Sequence, residues 1–104
     1  MALRIYTDSL HIIREMREVV ANIARRDPDL ARQMRRALAS IPLNIAEGEG
    51  QKNGNATLRF RTAMGSANEV RACLEVADAM GYVSASAAMI DWLDRIARTL
   101  RKLH

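Results

Sequence analysis

Asp8 and His11 stand three residues apart, a spacing that places a carboxylate and an imidazole on one helix face, where they could share a metal ion. A metal pair inside a helical bundle needs two Glu-x-x-His pairs and further inward carboxylates, and the chain's other histidine is His104. His11 is therefore expected to face solvent, with no metal. Gly48 to Gly54 is glycine-rich, but Gln51-Lys52-Asn53 does not reproduce the Gly-Lys-Ser/Thr that cradles a phosphate and its magnesium. Cys73 has no histidine beside it in the sequence and lies on an apolar arc, where a thiol serves as a small core filler rather than a nucleophile. Glu47 and Glu49 straddle a glycine without an evident task. This inventory points away from an enzyme and from any cofactor.

Binding chemistry is better represented. Of 104 residues, 16 are basic and 12 acidic, a net charge of +4 with the basic set overwhelmingly arginine, and a sequence pI near 10.0 favours a polyanionic partner. Three groups of cations stand out. Arg32, Arg35 and Arg36 occupy the polar side of the second helical segment, Lys52, Arg59 and Arg61 flank the start of the third, and Arg95, Arg98, Arg101 and Lys102 line the end of the fourth. No acid follows Asp94, so the last group forms a positive strip; cations there also answer the helix dipole. Aromatic residues are only 4% of the chain, too few for base-stacking platforms, so contact with RNA or DNA is expected at the backbone, without sequence readout.

These side chains have to be positioned by helices. Hydrophobic residues make up 49% of the chain, six of them methionine, and apolar positions recur at helical spacing in four segments with no strand signal. Segment one runs from about Arg4 to Arg25, and Asp27 and Pro28 supply the cap and first position of segment two, which is expected to end at the Gly48 to Gly54 loop. Segment three spans about Asn55 to Met80 and stops at Gly81; Ser84 is placed to cap segment four. An all-α, antiparallel up-down four-helix bundle in one domain, residues 1–104, follows from these lengths and short connections. Pro42 removes a backbone donor inside segment two and is expected to kink it, at a cost of about 3 kcal/mol. No run of about 18 apolar residues is present to span a bilayer and the N-terminus lacks a secretory apolar block, so a cytoplasmic location is expected.

Polar residues interrupt two apolar arcs. Asn44 and Glu47 follow Pro42 beside Ile41 and Ile45, while Ser66 and Glu69 lie among Val70, Cys73 and Ala77, with Gly65 leaving room for a backbone to approach. Buried polar groups need partners, so a network linking Ser66 and Glu69 to Asn44 or Glu47 across helices two and three is expected, a wet edge of the bundle being the plainer alternative. Helix one carries two adjacent apolar stripes. Tyr6, Leu10, Ile13, Val20 and Ala24 form one; Ile5, Ile12, Met16, Val19 and Ile23 form the other and are taken as candidates for an oligomer interface, since so small a core cannot cover both. Arg17, within that apolar arc, could snorkel or meet an acid across such an interface.

Arg35-Arg36-Ala37, Ser40-Ile41-Pro42, Asn44-Ile45-Ala46-Glu47-Gly48, Phe60, Ala63, Gly65-Ser66, Glu69 and Gly81-Tyr82 together resemble the signature of bacterial four-helix-bundle proteins related to the large-subunit rRNA intervening-sequence protein. The similarity covers most of the chain and is densest from Gln33 to Tyr82. More distantly, the chain is similar to the accessory variability protein of diversity-generating retroelements. The resemblance implies a cytosolic all-α protein that assembles as a homopentameric ring, with no accepted catalytic residues and a role beside nucleic acid. Two departures limit the transfer: Arg26-Asp27-Pro28-Asp29 lacks an aromatic before the proline, and the loop after Gly48 lacks the relatives' basic residue followed by serine and an acid. Two functions are compatible with the sequence, a nucleic-acid accessory factor and a scaffold whose ring receives a protein partner.

Overall fold

A computed structural model describes residues 4–50 and 54–103. Four helices carry almost all of them: α1 (Arg4–Arg26), α2 (Pro28–Glu49), α3 (Gly54–Ala79) and α4 (Ala87–Lys102), with no strand among the described residues. Each helix packs on the next in sequence and α4 closes more lightly onto α1, giving a four-helix bundle of 43 × 23 × 19 Å.

The corners follow from local chemistry. Asp27 alone joins α1 to α2: its Oδ1 accepts the Leu30 N–H at 3.0 Å while Pro28, which has no N–H to satisfy, opens the helix. Gly81 adopts φ 80°, and the Tyr82 N–H then reaches back to the Ala77 carbonyl and the Gly81 N–H to that of Asp78, both at 2.9 Å, ending α3 by the left-handed reversal that glycine permits. Tyr82 Oη donates to Asp27 Oδ2 at 3.2 Å, and the Arg26 guanidinium lies 5.5 Å from the Tyr82 ring centroid. These contacts tie the α1–α2 turn to the α3–α4 connection at one end of the molecule. Ser86 caps α4 by accepting the Met89 N–H, two residues later than the expected Ser84, because Asp78 holds the Ala85 N–H at 2.6 Å and keeps the intervening chain outside the helix.

Several expectations are corrected by the packing. Ile5, Ile12, Met16 and Ile23 are interior, none more than 5% exposed, and Val19 packs half-buried against them. Side chains that fill the bundle's own core cannot form its oligomer interface. The neighbouring stripe is the one left partly open: Tyr6, Leu10, Ile13 and Ala24 remain half-exposed. A helical wheel fixes the angle between two stripes, whereas the partner helices decide which of them meets the axis. α2 continues from Pro28 to Glu49 through a buried Pro42, so the proline does not end the helix. Gly48 lies inside that helix and is buried, because a Cβ there would stand 2.8 Å from Phe60 Cε1; it gives the Phe60 ring access to the helix backbone. Gly65 makes no such approach, having no atom within 4 Å of a Cβ position.

Candidate nucleic-acid interface and the polar seam beside it

Along the α2–α3 contact, Gln33 lies opposite Glu69, Ser40 opposite Ser66 and Asn44 opposite Arg59, so residue numbers rise on one helix as they fall on the other. Ser40 is the hub of this seam. Its Oγ accepts from Ser66 Oγ at 2.7 Å and from Asn44 Nδ2 at 2.9 Å, and the same amide also donates to the Ser40 carbonyl at 2.9 Å, two residues before the donor missing at Pro42. Arg59 then bridges to Asn44 Oδ1 and to Glu47 Oε1, each at 3.4 Å.

The expected network therefore exists with a different membership. Ser66 reaches Asn44 through Ser40, Glu47 is held by Arg59, and Glu69 accepts from Gln33 at 3.3 Å instead of meeting Asn44 or Glu47. Nor is it deeply buried: Ser66 is enclosed, Asn44 is half-buried, and Glu47 and Glu69 are exposed. The carboxylates sit at the wet edge because α2 and α3 turn them outward, where hydration removes the penalty that a buried charge would carry. Burial, and secondly the nearby Glu69 charge, raise the Cys73 thiol above its ordinary pKa, as suits a core filler. His11 is exposed, its ring centroid 6.5 Å from that of Trp92.

The cations divide by what surrounds them. Arg59 belongs to the seam and is engaged by Glu47, which withdraws it from the basic surface. Arg32 pairs with Asp29 at 3.0 Å and Arg95 with Asp91 at 3.2 Å, exposed pairs one turn apart that hold little free energy and exchange readily for a phosphate. Arg35, Arg36, Arg61, Arg98, Arg101 and Lys102 are exposed and make no ion pair with an acid among the described residues. Lys52 lies outside the described residues. These groups do not form one face. Arg35 borders a groove between α1 and α2, Arg36 one between α2 and α3, and Arg95 one between α4 and α1, while Arg98, Arg101 and Lys102 belong to the last turns of α4.

One charged residue escaped the sequence reading. Arg71, on α3, sets Nη1 2.6 Å from Asp94 Oδ1 on α4 and Nε 3.7 Å from Glu75 Oε2, the Nε being buried without a hydrogen bond. Its only sequence signal is a cation at the margin of an apolar arc, and its partner lies 23 residues away on another helix.

A family model described as 23S rRNA-intervening sequence protein matches residues 1–104. The chain belongs to that family. A crystal structure of a protein of unknown function from the S23 ribosomal protein family of Bacteroides thetaiotaomicron is similar in fold, with a TM-score of 0.73 at 20% identity, covering 95% of this chain and 93% of that one. No curated protein matches. In this member of the family, the Asn44-Ile45-Ala46-Glu47-Gly48 run is a packing device. Ile45 enters the core, Asn44 and Glu47 hold Arg59, and Gly48 admits Phe60. No helix is long and apolar enough to cross a membrane among the described residues.

Proposed function

We propose that the chain is a non-enzymatic accessory protein that contacts the nucleic-acid backbone electrostatically, RNA foremost, and does so as a self-assembled ring. The observation that carries this reading is the end of α4, where Arg98, Arg101 and Lys102 are exposed without an acidic partner among the described residues. An exposed guanidinium with no internal carboxylate is free to take a phosphate, and release of condensed counterions then drives binding. Self-assembly strengthens the effect, because each added copy repeats the strip on one scaffold and modest contacts sum. The family's description, which names an intervening sequence of 23S rRNA, supports RNA as the polyanion.

A gel-shift titration with generic single-stranded RNA and with DNA tests the reading. The native chain is expected to bind RNA at low salt, and Arg98→Glu with Arg101→Glu is expected to weaken binding at least tenfold while leaving helicity unchanged. A native chain that shifts neither nucleic acid at low salt overturns it. The second reading, a scaffold that receives a protein partner, draws on the exposed Leu43 and Leu58, 67% and 54% accessible, which an RNA backbone does not need.

A further inference from the structure

The groove between α1 and α2 has an apolar floor of Ile13, Val20, Leu38 and Ala39 and is flanked by Arg17 and Arg35, with a volume of about 320 Å³ and no acid in its lining. Such a site selects a convex apolar ridge that carries carboxylates, because the apolar atoms leave water while each guanidinium gains a charged partner. The chain carries that ridge itself. On the outward side of α3, Ala72, Val76 and Ala79 are exposed, Val76 at 45% and the following Met80 at 61%. At about 100° per residue, Glu69 and Glu75 stand about 60° to either side of Ala72, so the ridge has an acid on each flank. Both are exposed and only loosely held, Glu69 by Gln33 at 3.3 Å and Glu75 by Arg71 at 3.7 Å.

We infer that the α3 ridge of one copy seats in the α1–α2 groove of the next, with Glu69 and Glu75 meeting Arg17 and Arg35. The charges are opposite, the shapes are convex on concave, and both surfaces expose apolar atoms that water would otherwise cover. Groove and ridge are different parts of the chain, so the contact is heterologous: every added copy brings one free groove and one free ridge, and repetition closes a ring or extends a filament. This names the contact behind the self-assembly proposed above and rests on it. Arg35 then serves assembly, and the nucleic acid falls to the cations at the end of α4.

Sedimentation of the full chain at tens of micromolar, with circular dichroism on each variant, tests the contact. The native chain is expected to sediment as an oligomer. Arg17→Glu with Arg35→Glu, and separately Glu69→Arg with Glu75→Arg, are each expected to give folded monomer, and the fourfold variant carrying both reversals to regain the native mass. Ala72→Gln, which adds bulk to the ridge with a helix-compatible side chain, is expected to dissociate the oligomer without changing charge. A native oligomer that survives both reversals or Ala72→Gln, or a fourfold variant that stays monomeric, overturns the groove-and-ridge contact and leaves self-assembly standing. A monomeric native chain overturns self-assembly and this contact together.

Discussion

Replacing Gly48 by alanine sets two opposing effects against each other. Gly→Ala inside a helix stabilises by about 1 kcal/mol, and by less in the final turn of α2, where Gly48 sits. The added Cβ, however, would meet Phe60 Cε1, Cζ and Cδ1 at 2.8, 3.1 and 3.2 Å, well inside the roughly 3.5–4.0 Å at which carbon atoms attract. Phe60 is buried between α2 and α3, so its ring cannot retreat without opening the seam or rotating into solvent. Overpacking of this kind costs about 1–3 kcal/mol, which leaves a net loss of up to about 2 kcal/mol and a fall in Tm of up to roughly 15 °C for a domain of this size. Thermal and urea unfolding of Gly48→Ala, beside Gly65→Ala, measures it. Gly65 is exposed with no atom near its Cβ position, so the same substitution there is expected to stabilise by about 0.5–1 kcal/mol. Adding Phe60→Leu to Gly48→Ala removes the overlapping ring and is expected to reduce the loss attributable to Gly48→Ala. If Gly48→Ala stabilises as much as Gly65→Ala, the close approach of Phe60 to α2 is wrong.

Asp27→Ala removes the α2 cap and the acceptor for Tyr82 together, so urea unfolding should show a loss of about 1–2 kcal/mol. Tyr82→Phe should lose less than Asp27→Ala and add nothing in the Asp27→Ala background. A double-mutant cycle of Arg71→Gln and Asp94→Asn should give a coupling of about 0.5–1 kcal/mol, modest because both side chains are part-exposed, at 40% and 30%. Alkylation of Cys73 at pH 8 should be slow in the native protein and fast in urea, since burial both shields the thiol and raises its pKa, leaving little thiolate; rapid native alkylation would place Cys73 outside the core.

Helix existence and the chemistry of two corners were legible in the residues because they are local properties, while the cap of α4 was not, since Asp78 on α3 displaces it from Ser84 to Ser86. Asp27-Pro28 and Gly81 act through hydrogen bonds within a few residues, and they stand where the sequence places them. Choices made by tertiary packing were not legible. Both stripes of α1 are apolar in sequence, and contact with α2 and α4 sends Ile12 and Met16 inward while leaving Ile13 at a groove. The polar seam was half legible: Asn44, Glu47 and Ser66 stand out as interruptions of apolar arcs, whereas the parts of Ser40 and Gln33 depend on partners that α3 brings to them. Arg59 stands beside Arg61 in sequence as another cation of α3, and only the fold brings Glu47 of α2 to it. Grouping cations by helix also hid their distribution among three grooves and the last turns of α4.

The most direct test of the nucleic-acid reading is the salt dependence of RNA binding, measured as log K against log salt concentration for the native chain and for Arg98→Glu with Arg101→Glu. Three cations per subunit at the end of α4 predict a slope on the order of −2 for each subunit engaged on single-stranded RNA, and loss of two of them should flatten that slope by roughly two-thirds. A slope near zero, or one that the two substitutions leave unchanged, would contradict the account.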